Sequence, residues 1–338
     1  MHGHRPRSQG PGHRAGRDGG DRAAPGGPER RGLRVGARVS RAFRVTVPAS
    51  TANLGSGFDA LGLSLARYDE ITVEVVAGAT GDVQVEVDGE GAGEVATGHR
   101  HLVVKLLHRT MRHFGVQPPS LRVRCANRIP HSRGLGSSAA AIVAGITAGC
   151  ELSGVSVRDE TVRQDALNLA ASFEGHADNV AASLLGGFVI AWNDAERFHA
   201  SRLEPHPDLA PVMLVPAEKS ATRTTRGLLP EAVPHRDAAF AAGRAALAVH
   251  AFTSDPGVLL AATADRLHQD YRERAWPASV AVIKALREAG VPAAVSGAGP
   301  TVLTFPGGGA LPETVDSDGF EVHPVPVDRG GVQVAELG

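Results

Sequence analysis

The stretch IPHSRGLGSSAAAIVAG, residues 129–145, restricts the fold more than any other part of the chain. A proline and a basic patch give way to two glycines around one leucine, then two serines, then an abrupt run of alanine, isoleucine and valine. Glycine reaches backbone conformations with positive φ and lets a ligand approach the main chain closely. Ser137 and Ser138 stand where hydroxyls cap a helix, so a helix is expected over about 138–152. The free N–H groups and partial positive charge of its first turn suit a phosphate. Strand LRVRCANRIP is expected to feed this anion cradle.

Periodicity reads much of the remainder. Phe43, Val45 and Val47 alternate as in a strand, which Pro48 is expected to end. DEITVEVV and DVQVEVDG read as the two arms of a hairpin. Leu102, Val103, Leu106, Leu107 and Met111 give helical spacing over 101–114, and a further helix is expected over 159–173. GGFVIAW and APVMLVPA read as strands, and PAAVSGAGPTVLTF as strand, glycine turn, strand. Helices are expected over 238–252, through GVLLAATADRLHQDYR, and over 280–288 with Gly290 closing the last. This mixed order predicts an α+β protein of two layered domains. The expected division is a disordered Gly/Arg/His-rich tail over 1–40, a first domain over 41–197 and a second over 198–338.

Charge and cysteine usage exclude several classes. Residues 1–38 carry nine arginines and three acids, hence +6, so the rest of a chain of net charge −1 carries −7. A body of that sign argues against nucleic acid as a partner. No apolar run approaches the ~18 residues of a membrane span. Cys125 and Cys150 sit in apolar contexts, too few for a disulfide scaffold or zinc site. A reduced, cytoplasmic protein is expected, and a homodimer is left open.

The glycine loop is not a Walker P-loop, because no Gly-Lys-Ser/Thr closes it. Gly134, Gly136 and Ala139 do fit the dinucleotide pattern G-x-G-x-x-A, but that fold needs a strand after the helix and a helix follows here. Three glycine-rich loops, over 53–62, 134–138 and 296–299, make a merely passive turn less convincing than a ligand site. Glu174 closes a helix beside His176, Asp178 and Asn179, and with Ser137 it could supply the protein's share of a Mg²⁺ shell. Arg226 and Arg272 are either surface charges or a clamp on a carboxylate.

PHSRGLGSSAA, residues 130–140, resembles the phosphate-binding signature of the GHMP kinases, and AAVSGAGPTVLTF, residues 293–305, resembles their C-terminal glycine motif. VPASTANLGSGFDALGLSL, EGHADNV and DRLHQDYR are similar to the homoserine kinase branch. The resemblance runs from about residue 43 to near the C-terminus. It implies a GHMP kinase fold, with a first domain like ribosomal protein S5 domain 2, a ferredoxin-like second domain, and ATP between them. It implies phosphoryl transfer from ATP to the hydroxyl of L-homoserine, with Mg²⁺. Pro130, His131, Ser132, Arg133, Gly134, Leu135, Gly136, Ser137, Ser138, Ala139 and Ala140 would wrap the phosphates, with Gly297 and Gly299 across from them. Ser137 and Glu174 would hold the metal. Asn53, Asp59, His176, Thr222, Arg226 and Arg272 would bind the amino acid. Asp59, Asn179 and Arg226 would act in catalysis, with no single essential base. Ser56 and Ala177 stand where the family usually has proline, implying lost rigidity, and His101 where it often has asparagine near the adenine. The rivals are another GHMP small-molecule kinase, a catalytically inactive nucleotide-binding regulator, and RNA binding through the first domain.

Overall fold

A computed structural model describes residues 41–77, 81–219 and 225–338. The expectations for the tail and for Thr222 fall outside these residues. Two sheets carry the fold, both within one unit spanning 40–338. The larger has seven strands. They are β1 (Ala42–Asn53), β2 (Gly57–Val75), β3 (Val83–Gly89), β4 (Leu121–Asn127), β5 (Phe188–Asn193), β6 (Phe198–Leu203) and β11 (Gln333–Leu337). The smaller contains β7 (Val212–Pro216), β8 (Ala293–Val295), β9 (Val302–Thr304) and β10 (Phe320–Pro324), in the order β10-β7-β9-β8. Helices α1 (Leu102–His113), α2 (Ser137–Leu152), α3 (Glu160–Glu174) and α4 (Asp178–Leu185) fall between strands of the larger sheet. Helices α5 (His235–Thr253), α6 (Leu259–Ala262) and α7 (Pro277–Glu288) fall between β7 and β8. The architecture is α+β. Residue 197 falls inside the β5–β6 hairpin, and β6 and β11 both belong to the larger sheet.

Three expectations are corrected. Pro48 does not end the first strand, because the register steps from Pro48↔Tyr68 to Ala49↔Leu65 at that point. The proline thus sits at a bulge, where sheets tolerate a residue without an N–H. Beyond it, Leu65 pairs with Val327, and Ala66 N–H donates to Pro326 O at 2.8 Å. Second, β2 and β3 form no hairpin. β4 lies between them, antiparallel to β2 and parallel to β3. Leu121, Val123 and Cys125 of β4 are buried, while its alternate arginines meet both neighbours: Arg122 with Glu74 and Arg124 with Glu86, each at 3.1 Å. Third, residues 257–272 do not form one helix. α6 lasts only over Leu259–Ala262. Asp265 then accepts the N–H groups of Leu267, His268 and Gln269 at 2.9, 3.0 and 2.8 Å. A carboxylate that takes backbone donors in this way competes with the helix.

Helix α2 is buried along almost its whole length, from Ala139 to Cys150. It lies against β1 and α1, and glycines at 145 and 149 admit the α1 backbone at Val103 and Leu107. This close fit seats the middle and C-terminal half of α2 against α1. Among the described residues no helix is long and apolar enough to cross a membrane. Phe252 of α5 joins the layers: it stacks on Phe188 of β5 at 5.3 Å and meets Phe305, just after β9, edge-on at 5.5 Å. Phe252→Ala is expected to lower unfolding free energy by about 3–5 kcal/mol, read from the urea midpoint with an unchanged slope.

Candidate active site

The three glycine-rich loops meet. Gly134 and Gly136 have φ of +80° and +69°, as the sequence required. A Cβ at residue 134 would collide with the Ser296 carbonyl oxygen, and one at 136 with the Ser50 hydroxyl. Ser296 Oγ lies 2.6 Å from Gly134 O and 2.8 Å from Thr51 Oγ1. Gly297 N–H donates to Ala52 O at 3.1 Å, and Thr301 N–H to Arg133 O at 3.2 Å. Asn53 bridges two loops with one side chain: Nδ2 donates to Gly297 O at 2.7 Å, and Oδ1 accepts from Asp59 N–H at 3.0 Å. Asn53 is therefore a bracket between loops as well as a wall residue.

These loops border a cavity of about 450 Å³. Asn53, Asp59, residues 130–138, Glu174, His176, Asn179, Arg226, Arg272 and Gly297 all line it. One end is apolar, with Ile71, Val95, Leu102, Val103 and Ala141. His101 belongs to that end, and among the described residues its buried Nδ1 has no hydrogen-bond partner. Ala139, Ala140 and Gly299 do not line the cavity. The alanines are in the core, and residue 299 lies against the Trp276 ring. Arg133 reaches the wall, but its guanidinium is engaged by Pro216 O at 2.8 Å, Ala217 O at 2.7 Å and His131 O at 3.1 Å. That group braces the loop onto the end of β7.

The serines do not cap α2 as expected. The N-cap is Gly136, in the left-handed region, and no side chain caps the end. Ser137 and Ser138 are instead the first two helical residues. Ser138 Oγ donates to Glu174 Oε2 at 3.2 Å, so the hydroxyl beside the carboxylate belongs to Ser138, where the sequence pointed to Ser137. Burial raises the Glu174 pKa above the ordinary range, opposed by His176 and the Ser138 bond. His176 Nδ1 lies 2.8 Å from Asp178 Oδ1, which also accepts Asn179 N–H at 2.7 Å. Burial would depress His176, but the Asp178 bond and the nearby carboxylates of Asp178, Glu174 and Asp59 outweigh it and hold the pKa above normal. Ser50 Oγ donates to Asn179 Oδ1 at 3.0 Å.

A second charged group lies in the same wall. Arg226 Nη2 pairs with Asp59 Oδ1 at 2.6 Å. Arg226 and Arg272 both lie over the Phe58 ring, at 5.6 and 5.5 Å. Arg272 is 1% exposed, and among the described residues no carboxylate pairs with it within 4.0 Å. Burial, then the Arg226 charge, lowers its pKa to about 10, so it stays cationic at neutral pH. Ser56 donates to Ala264 O at 2.6 Å, an anchor at the position where the resemblance implies proline.

Reasoning from sequence missed Ser50, Thr51 and Ser296, whose hydroxyls act through tertiary contacts. It also missed Phe58, whose ring carries the two arginines. The donor set of Glu174 and Ser138 is hard oxygen beside an anion loop, which fits Mg²⁺ held jointly with phosphate oxygens and water. Among the described residues no group of three or more His, Cys, Asp or Glu could hold a metal by itself.

Residues 101–187 match the family described as the GHMP kinases N-terminal domain. A homoserine kinase from Streptomyces avermitilis is 46% identical over 300 residues, covering 88% of this chain and 96% of that protein. One from Rhodococcus erythropolis is 47% identical over 315 residues, covering 90% and 96%. The crystal structure of homoserine kinase from Cytophaga hutchinsonii superposes with a TM-score of 0.74 at 24% identity, over 90% of this chain and all of that one, a likeness of fold.

Gly134→Ala combines the left-handed penalty of about 1–2 kcal/mol with displacement of the 296–299 turn. It is expected to lower Tm and raise the KM for ATP about tenfold or more, as read by melting and steady-state kinetics.

Proposed function

The chain belongs to the homoserine kinase family of the GHMP kinases, and on that premise we propose the residue roles by which it transfers the γ-phosphate of ATP to the side-chain hydroxyl of L-homoserine. The product is O-phospho-L-homoserine, a precursor of threonine.

Arg272 carries the reading. A guanidinium buried in the cavity wall without a carboxylate calls for an anion. The acceptor's carboxylate meets Arg272 and Arg226, and its amino group meets Asp59. An acid beside two arginines suits an α-amino acid better than a sugar or a simple hydroxy acid. The main-chain donors of residues 134–138 and the start of α2 receive the ATP phosphates. The apolar end, with His101, receives the base. Glu174 and Ser138 hold Mg²⁺, which when bound would neutralise charge on the phosphate oxygens. We place the reaction in the cytoplasm, a reading supported by free, buried Cys125 and Cys150, whose thiols burial pushes up to about 12.

Phosphoryl transfer through a loose transition state needs positioning and charge stabilisation more than covalent help. The oxygen Oδ1 of Asp178 is engaged by His176 and Asn179 N–H, which makes this residue a scaffold rather than a free base. With its carbonyl engaged by Ser50 and one Nδ2 hydrogen reaching Asp178 Oδ1 at 3.5 Å, Asn179 has the second Nδ2 hydrogen to offer the substrate. Asp59 and Asn179 orient the hydroxyl, and no single residue is required to take its proton.

The decisive assay is ADP release with Mg·ATP and a panel of L-homoserine, D-homoserine, L-serine, L-threonine, mevalonate and galactose. L-Homoserine should far exceed the others, and chelating the divalent cation should abolish turnover. Arg272→Lys should raise the KM for L-homoserine about tenfold while leaving that for ATP in place, since lysine cannot bind a carboxylate bidentately. Turnover confined to another alcohol would refute the acceptor site. Asp59→Asn and Asp178→Asn should each retain measurable turnover. Complete loss in either, with L-homoserine still bound by calorimetry, would sink the mechanism without an essential base.

A further inference from the structure

His268 is fully buried behind the cavity wall, and none of the roles above uses it. Three close contacts hold its ring, with Asp265 Oδ2 farther off at 3.9 Å from Nε2. Nε2 lies 2.9 Å from Gly55 O, Nδ1 lies 3.1 Å from Arg272 Nη1, and the ring stacks on Phe58 with centroids 5.2 Å apart. A carbonyl only accepts and a guanidinium only donates. Both bonds form together only on a neutral ring with its proton on Nε2. Burial favours that neutral form, aided by the Arg272 charge and opposed by Asp265 and Asp59.

We propose that His268 is a positioning residue for acceptor recognition: it ties the Arg272 guanidinium to the backbone of the turn that leads into Asp59. The groups that meet the acceptor's carboxylate and amine thereby keep a fixed separation. This rests on the roles proposed above for Arg272 and Asp59. Arg272 Nε donates to Thr225 O at 3.3 Å and Nη1 to His268, so the two bonds fix the guanidinium plane. The loop has other anchors on the same segment. Its backbone at residue 55 abuts Thr263, and Ser56 bonds Ala264 O at 2.6 Å. Loss of the His268 bond to Arg272 therefore frees the guanidinium more than it frees the loop.

Two amide substitutions separate the bonds. In His268→Gln a side-chain N–H reaches toward Gly55 O, but nothing replaces the acceptor at Nδ1. In His268→Asn an amide oxygen replaces that acceptor, and the donor to Gly55 is lost. Each variant is assayed for both KM values, kcat and Tm, with L-homoserine and with its analogue reduced to an alcohol at the carboxylate. His268→Gln should raise the KM for L-homoserine about tenfold, leave that for ATP unchanged, and narrow the preference for L-homoserine over the analogue. His268→Asn should recover much of that preference. If both KM values rose together with a fall in Tm and an unchanged preference, the residue would be structural only, and the inference overturned. A silent His268→Gln beside a responsive Arg272→Lys would overturn the positioning inference alone. A silent Arg272→Lys would overturn the acceptor site and this inference with it.

Discussion

The backbone at Gly134 lies directly against the backbone at Ser296, and the cavity depends on that approach. One hydroxyl, Ser296 Oγ, reaches both Gly134 O and Thr51 Oγ1. Asn53 adds a bridge from Gly297 O to Asp59 N–H. An anion loop, an acceptor loop and the turn between β8 and β9 thus become one object, although they lie far apart in sequence. The acceptor loop is under strain. Asn53, Leu54 and Asp59 hold φ of +72°, +49° and +56°, each costing on the order of 1–3 kcal/mol. The Asn53 bonds offset part of it. The gain is pre-organisation, because donors that already point at the ligand need not reorganise when it arrives.

Charge in the cavity is divided in the same spirit. Arg272 and Glu174 are each pulled by burial toward the neutral form. Among the described residues neither has a full counter-charge bonded to it: Arg272 has His268 and a backbone carbonyl, Glu174 a serine hydroxyl. Each carries a desolvation penalty that a ligand of opposite sign would relieve. On the proposed roles these ligands are the acceptor's carboxylate and the metal–phosphate group. Arg226 differs, being exposed and already paired with Asp59. Its bond is screened by water and exchanges readily, which on the proposed roles suits a shift of partner as the acceptor enters.

Features that act along the chain were legible in sequence. The positive φ at residues 134 and 136 follows from glycine, the strands from alternation, and the apolar α2 from composition. The failures concern choices made between segments. Both β2 and β3 alternate well, yet their pairing is settled by β4, whose arginines find acids on either side. The turn after Ala262 was hidden because Asp265 sits in a helical pattern and instead captures three N–H groups. The pair of serines shows how fine the limit is. Neighbouring residues on a helix point about 100° apart, so starting α2 at Ser137 turns the Ser138 hydroxyl toward Glu174. Ser50, Thr51 and Ser296 carry no local signal, since only the folded chain brings them together.

Serine stands at residue 56, where the resemblance in sequence implies proline, and this bears on how order reaches the site. A proline stiffens a loop through its own ring, before any tertiary structure forms. Serine has no such local effect, and here its hydroxyl bonds Ala264 O at 2.6 Å. Order in the acceptor loop thus depends on the 263–272 segment being in place. That segment also supplies His268, which bonds Gly55, and Arg272, which lines the cavity. Its own conformation is set by Asp265 holding the backbone of residues 267–269. The turn that leads into Asp59 and the guanidinium of Arg272 are therefore held by the same segment. The bonds of Ser56 and His268 tie that turn to the segment bearing Arg272, so the spacing between Asp59 and Arg272 follows from the folded junction itself.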